Sequence, residues 1–285
     1  MPAMLVAGLL MALSAVVQVV DSVIVRALSE QVHPFEILFF RNLFGLVLLT
    51  PLMRRADMAL DPRGLWAAHG SRAALKIAAM ASSFYAIALL PLSTFTAIAF
   101  TAPLFAMLGA ILVLGEPVRA SRLAALALGF AGILVVLRPS TVPVGAGAAF
   151  ALLSAVGFAA VTLVLKFTSS RESTARIVWL NLLISVPLSL LLALPFWTTP
   201  SAVALGLMAA QGAGGMLAQL AVTTAMARSD ASALVIVDFI RLPLSAAAGL
   251  LLFGEAIEPA VLVGGAIIVG ALVLVFSERR PRAAV

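Results

Sequence analysis

Apolar residues along this chain come in long unbroken runs, and polar residues gather in the short gaps between them. Runs of roughly 20 residues, the length that crosses a bilayer as a helix, lie at about 3–28, 34–53, 65–90, 93–114, 121–138, 145–165, 174–194, 201–225, 231–252 and 257–276. The gaps hold turn formers and charges, as in MRRADMALDPRG, GEPVRASR, RPSTVPVG and PFWTTPS. The pattern predicts an all-α membrane protein of ten transmembrane helices, with short connections that make consecutive helices antiparallel neighbours. The first run has no basic segment before it and continues to Arg26, so it reads as a permanent span and not as a signal peptide.

A second regularity lies over the first. At an offset of about 139 residues, Leu114-Gly115-Glu116 recurs as Phe253-Gly254-Glu255, Leu13-Ser14-Ala15 as Leu153-Ser154-Ala155, and Asn42 as Asn181. Each correspondence is weak in so Ala- and Leu-rich a chain; the nearly constant offset carries the inference. It predicts two five-helix repeats, residues 1–140 and 141–285, forming one integral membrane unit. Five is odd, so the second copy enters the membrane from the opposite side. Inverted repeats suit alternating access, because exchanging the conformations of two similar halves turns a cavity from one side of the membrane to the other.

Composition agrees and charge adds an orientation. The chain is 63% hydrophobic and 11% charged, with a mean hydropathy of +1.18, far from the make-up of a soluble domain. The net charge of +6 is spread over loops, which argues against a nucleic-acid-binding face. With the amino terminus inside, alternate loops collect Arg54, Arg55, Arg63, Arg72, Arg119, Arg122, Lys166, Arg171, Arg176, Arg228, Arg279, Arg280 and Arg282. The other side holds Arg26, Arg41 and Arg138. The expectation is a multi-pass protein of the cell inner membrane with both termini cytoplasmic. No cysteine is present, which excludes disulfides and thiol catalysis.

Ionisable groups inside a bilayer cost about 2.5–3.5 kcal/mol each at the helix centre, so each requires a partner or a wet cavity. Asp238 and Arg241 lie three residues apart on one helical face. They read either as a structural pair or as a docking site, Arg241 for a substrate carboxylate and Asp238 for an ammonium. Lys76 has no acidic residue within a turn of its own span; it contacts substrate or snorkels to line a wet vestibule. Asp21 and Arg41 sit at comparable depth on neighbouring helices and suggest a second ion pair, structural or gating. Gln211 opens the run Gln-Gly-Ala-Gly-Gly near mid-membrane and is a candidate ligand contact. Tyr85 could stack a ring substrate, whereas Trp179 reads as an interface anchor. Pro103 and Pro243 interrupt the fourth and ninth spans at nearly corresponding places and are candidate hinges.

Ten spans in two halves, the segment PLFAMLGAILVLGEP with Gly129 and Gly132, and its second copy LPLSAAAGLLLFGEAIEP with Gly264, Gly265 and Gly270 resemble the drug/metabolite transporter superfamily, specifically its EamA-type exporters. The chain also resembles the aromatic amino-acid exporters of the YddG type within that group. The resemblance implies a secondary transporter exporting small metabolites, amino acids foremost and aromatic ones among them, through a central cavity. It further implies a monomer whose partners are a small-molecule substrate and the lipid bilayer, without cofactor or metal. Rival readings are a carrier of organic anions or phosphorylated metabolites, favoured by the excess of central cations, and a multidrug exporter, which would need an unpaired acid. Asp21 and Asp238 supply the raw count for an intramembrane aspartyl protease, but Asp238 follows Val-Ile-Val and lacks that class's Gly-x-Gly context. No P-loop supports ATP-driven transport.

Overall fold

The lipid-length runs form helices throughout the computed structural model of the chain, which describes residues 2–53, 66–115, 120–137, 145–168, 173–226, 237–238 and 240–276. In chain order these are α1 (Pro2–Leu28), α2 (Pro34–Leu49), α3 (Trp66–Leu89), α4 (Leu92–Ala99), α5 (Ala102–Leu114), α6 (Ala120–Leu137), α7 (Ala146–Thr168), α8 (Thr174–Ala193), α9 (Ala202–Met226), α10 (Arg241–Phe253) and α11 (Pro259–Phe276). Among the described residues, seven stretches are long and apolar enough to cross a membrane: Leu5–Leu28, Pro34–Leu52, Trp66–Leu89, Leu92–Val113, Ala146–Val164, Ala175–Phe196 and Ala202–Ala221. Leu123–Leu137, Arg241–Phe253 and Pro259–Ala271 are apolar but shorter. The chain is a multi-pass α-helical membrane protein.

Its radial pattern fits lipid as the outer solvent. Leu112 and Leu251 are 74% and 79% exposed, whereas Ser14, Glu36, Asn42, His69 and Thr101 are buried. Apolar surface costs nothing against lipid tails, while polar groups must find partners or water inside the bundle.

The fourth span breaks in two for a local reason. Pro103 lacks an N–H and its ring displaces the carbonyl of residue 99, and α4 ends at Ala99. Thr101 closes the break, its N–H and Oγ1 both donating to Ile98 O, at 2.9 and 2.6 Å. The ninth span also starts anew: the chain turns at Ile240, and α10 begins at Arg241 with Pro243 in its first turn. Helices α5 and α10 have 13 residues each and end on glycines in the left-handed region, Gly115 (φ 64°) and Gly254 (φ 66°), a conformation side chains resist. Glu116 and Pro117 of the first Gly-Glu element lie outside the described residues.

Helix pairs recur as well. Helix α3 packs along α7 and α8, and α1 and α2 pack along α9; α2 lies on α8, α4 on α10 and α6 on α11. The α6–α11 crossing is backbone against backbone: a Cβ on Gly132 would come within 2.8 Å of Gly264 O, and one on Gly264 within 2.7 Å of Gly132 O. Small residues permit such approach where lipid supplies no hydrophobic drive. The main core gathers Val25, Ile37, Leu38, Leu92, Ile98, Leu104, Met208, Leu242 and Ile268 from both halves of the chain.

Candidate functional site

Between these helices lies a cavity of about 520 Å³, large enough for a small metabolite. Among the described residues, the charged groups lining it are Asp21, Arg41, Arg72, Lys76, Asp238 and Arg241. Four cations face two carboxylates, an excess of two positive charges with all six ionised.

The carboxylates belong to tight pairs. Arg41 Nε donates to Asp21 Oδ1 at 3.2 Å, joining α2 to α1. The Arg41 guanidinium occupies the space left by Gly215 of α9, where a Cβ would fall 2.7 Å from its NH2. Arg241 NH2 lies 2.7 Å from Asp238 Oδ2, its NH1 donates to Gln18 Oε1 at 2.7 Å, and its guanidinium carbon stands 4.7 Å from the centre of the Phe100 ring. Gln18 is held in turn by donating Nε2 to Ser14 Oγ at 3.1 Å. The cavity thus has a cation at the start of α10 facing the aromatic residue at the α4–α5 break.

Arg72 and Lys76 differ, having no carboxylate partner among the described residues. Lys76 Nζ donates to Asn181 Oδ1 of α8 at 2.9 Å. Arg72 NH1 donates to Ile177 O of α8 at 3.2 Å. Counting Arg72 with the loops is corrected here: α3 begins at Trp66, and Arg72 lies in its second turn, 6% exposed and lining the cavity. Its position four residues before Lys76, hence on the same helical face, was the signal available in the sequence.

Two candidate substrate contacts from the sequence lie away from the cavity lining. Gln211 is 1% exposed, and both its side-chain polar atoms lack partners among the described residues. Tyr85 joins an aromatic cluster: its ring stacks on Phe150 with centres 5.3 Å apart, and its hydroxyl lies 3.1 Å from His33 Nε2. Trp179 is buried, its Nε1 donating to Thr50 Oγ1 at 3.2 Å. Pro103 lines the cavity; Pro243 lies outside its lining.

At the end of the bundle where α1 finishes lies a network that sequence reasoning missed. Arg26 NH1 donates to Ile87 O at 2.9 Å and also to Ala88 O, the last-turn carbonyls of α3, and its NH2 lies 3.6 Å from Glu255 Oε1. Glu255 follows the left-handed Gly254, and its Oε2 accepts from Leu92 N–H at 2.8 Å, capping α4. Nearby, the fully buried Glu36 accepts from Thr198 N–H and Oγ1, both at 2.8 Å, and from His33 N–H at 3.3 Å. Tyr85, His33, Phe35 and Phe196 pack over this end, His33 stacked on Phe196 at 4.0 Å. His33 Nδ1 accepts from Phe35 N–H at 3.3 Å, so neutral His33 carries its proton on Nε2 and donates it to Tyr85. Burial lowers the His33 pKa from 6.5, against the opposing pull of Glu36.

Spans of this kind around a polar cavity define an integral membrane transport protein, and similarity gives the class its family. Residues 5–138 match the EamA-like transporter family. A riboflavin transporter of Rhizobium johnstonii is 31% identical over 250 residues, 85% of this chain and 82% of that protein. An S-adenosylmethionine uptake transporter of Rickettsia prowazekii is 27% identical over 269 residues, covering 94% of this chain and 92% of its own. A pseudopaline exporter of Pseudomonas aeruginosa is 29% identical over 258 residues, covering 89% and 90%. A solved crystal structure superposes with a TM-score of 0.64 at 20% identity, covering 98% of this chain and 99% of its own. The chain belongs to the EamA-like transporter family.

Proposed function

We propose that this protein is a secondary transporter that exports small metabolites bearing amino and carboxylate groups, amino acids foremost, by alternating access through the cavity. The observation that carries this reading is the cavity's charge: four cations and two carboxylates face one small space. Asp238 Oδ1 is buried without a donor among the described residues and suits a substrate ammonium. Arg241, paired with Asp238 across the turn at Ile240, suits a carboxylate, and Lys76 contacts the substrate from α3. Phe100 and Phe158 supply apolar lining for a side chain.

Two inverted five-helix repeats are part of the proposal. The recurring helix pairs, the equal lengths of α5 and α10 and their left-handed terminal glycines support it. Alternating access then requires the Arg26–Glu255 network to open as the opposite end closes, and the basic residues collected in alternate loops argue for both termini in the cytoplasm. Asp21 and Arg41 would form and break as a gate within this cycle, and the breaks before Pro103 and Pro243 would serve as its hinges. S-adenosylmethionine, the cargo in the name of the Rickettsia relative, carries an amino-acid head. That relative is named for uptake and the Pseudomonas relative for export, so direction follows the coupling gradient.

The test is uptake into proteoliposomes of labelled aromatic, aliphatic and acidic amino acids, S-adenosylmethionine, riboflavin and a phosphorylated sugar, with and without a pH gradient. Saturable amino-acid uptake, lost in Arg241→Ala, supports the proposal. Uptake of the phosphorylated sugar alone favours an organic-anion carrier, the reading that the same excess of cations would support. No saturable uptake of any compound contradicts a metabolite carrier.

A further inference from the structure

Chemical valence distinguishes one corner of the cavity from the rest. Lys76 and Arg72 lie one turn apart on α3, and Asn181 and Ile177 face them from α8. An ammonium can only donate, so the Asn181 oxygen must be the atom bound to Lys76, which turns the Asn181 NH2 away as a further donor. Among the described residues that Nδ2 is buried and has no acceptor, and the Nε–H of Arg72 is likewise buried without one. Lys76 uses one of its three protons in the bonds described. Three side chains therefore converge with donors to spare, and no carboxylate among the described residues answers them.

Buried donors without acceptors are costly, and two buried cations without counter-charge more so. A guanidinium that has committed one NH2 group keeps its Nε edge for a planar bidentate acceptor, the geometry of a carboxylate. We propose that Arg72, Lys76 and Asn181 form an anion subsite that takes a substrate carboxylate separate from the group held at Arg241 and Asp238, so that preferred substrates carry net negative charge. The inference rests on the cavity being the transport site. It deepens that reading by assigning the substrate a second carboxylate and a fixed orientation across the cavity.

The test uses the full chain in proteoliposomes and substrate pairs of nearly equal shape that differ by one negative charge: glutamate against glutamine, aspartate against asparagine, and succinate against succinamate. In the wild type the charged member of a pair has a KM lower by about tenfold, the effect of one charge-assisted contact. Lys76→Gln and Asn181→Asp each reduce this preference to near unity, by losses that fall mainly on the charged member. Folding of both variants is checked by monodisperse elution and by thermal unfolding. Inorganic phosphate, included as competitor, separates a general anion site from a carboxylate site: inhibition equal to that by succinate overturns the carboxylate assignment. Saturable uptake without charge preference overturns the subsite and leaves the carrier reading standing. No saturable uptake of any member overturns both. A preference that survives in both variants also overturns the subsite.

Discussion

The two ends of α3 meet cations under opposite conditions. At the Arg26 end the guanidinium meets two helix-terminal carbonyls and Glu255, and Glu255 caps α4. Arg72 and Lys76, at the other end, meet one carbonyl and one amide oxygen, and donors remain over. Cations answered by fixed partners fasten helices together. Cations left short of acceptors weaken the empty protein and await something that is not part of it. In the proposed transport cycle this difference would separate closure from recognition, although both ends are built from the same residue types.

The comparison breaks most visibly if the acceptor-poor end is given its own carboxylate. Asn181→Asp supplies the charge that Lys76 and Arg72 lack. Uptake of the doubly carboxylated substrates should fall by roughly tenfold, the effect of losing one charge-assisted contact. The same variant should melt higher than wild type, by a stabilisation on the order of 1–2 kcal/mol. Thermal unfolding and counterflow on one preparation check both signs.

The matched end should respond in the opposite sense. Glu255→Ala uncaps α4 and leaves Arg26 with carbonyls alone, and should destabilise by about 2–3 kcal/mol, the cost of a lost charged hydrogen bond and an unanswered cation. A lowered unfolding midpoint is the readout. A midpoint equal to that of wild type would mean that the Arg26–Glu255 contact fastens nothing.

A smaller effect is expected between the two ends. Gly215→Ala places a methyl against the Arg41 guanidinium, loosening its pair with Asp21. For a partly exposed pair the expected cost is about 0.5–1 kcal/mol, a few-fold rise in KM measured by concentration-dependent uptake.

The smallest effect is one of pH at the Arg26 end. Protonating His33 would place a hydrogen on Nδ1, where it now accepts from Phe35 N–H. The fold therefore favours the neutral ring and holds its pKa below 6.5. Its contribution to stability is complete above pH 6.5 and is lost as pH falls through the folded-state value. Unfolding midpoints taken across mildly acidic pH should decline in the wild type and decline less in His33→Asn, which keeps a capping side chain without a titrating group.

Much of the helical framework is legible along the chain because lipid imposes one length and one polarity on every span. The break before Pro103 was also legible to within a turn, since proline disturbs the carbonyl four residues earlier. Pairing across the bundle was not. Lys76 and Asn181 are separated by 105 positions, and nothing local tells either that the other is there. Arg72 was misplaced because a cation near a span end looks the same in sequence whether it snorkels out or turns in; its spacing from Lys76 held the information. The depth of Tyr85 was readable, but its neighbours His33 and Phe150 come from other helices. Glu36 carried a local signal, as an acidic residue in the first turn after His33-Pro34, yet its bonds to Thr198 depend on how α8 meets α9.

The absence of cysteine makes a direct test of the transport cavity practical. Ala99, half-buried at the end of α4, lines the cavity beside the helix break. Ala99→Cys should react with a membrane-impermeant maleimide applied from either side of sealed vesicles, with the balance between sides shifted by a substrate gradient. Labelling from one side only, whatever the gradient, would contradict alternating access.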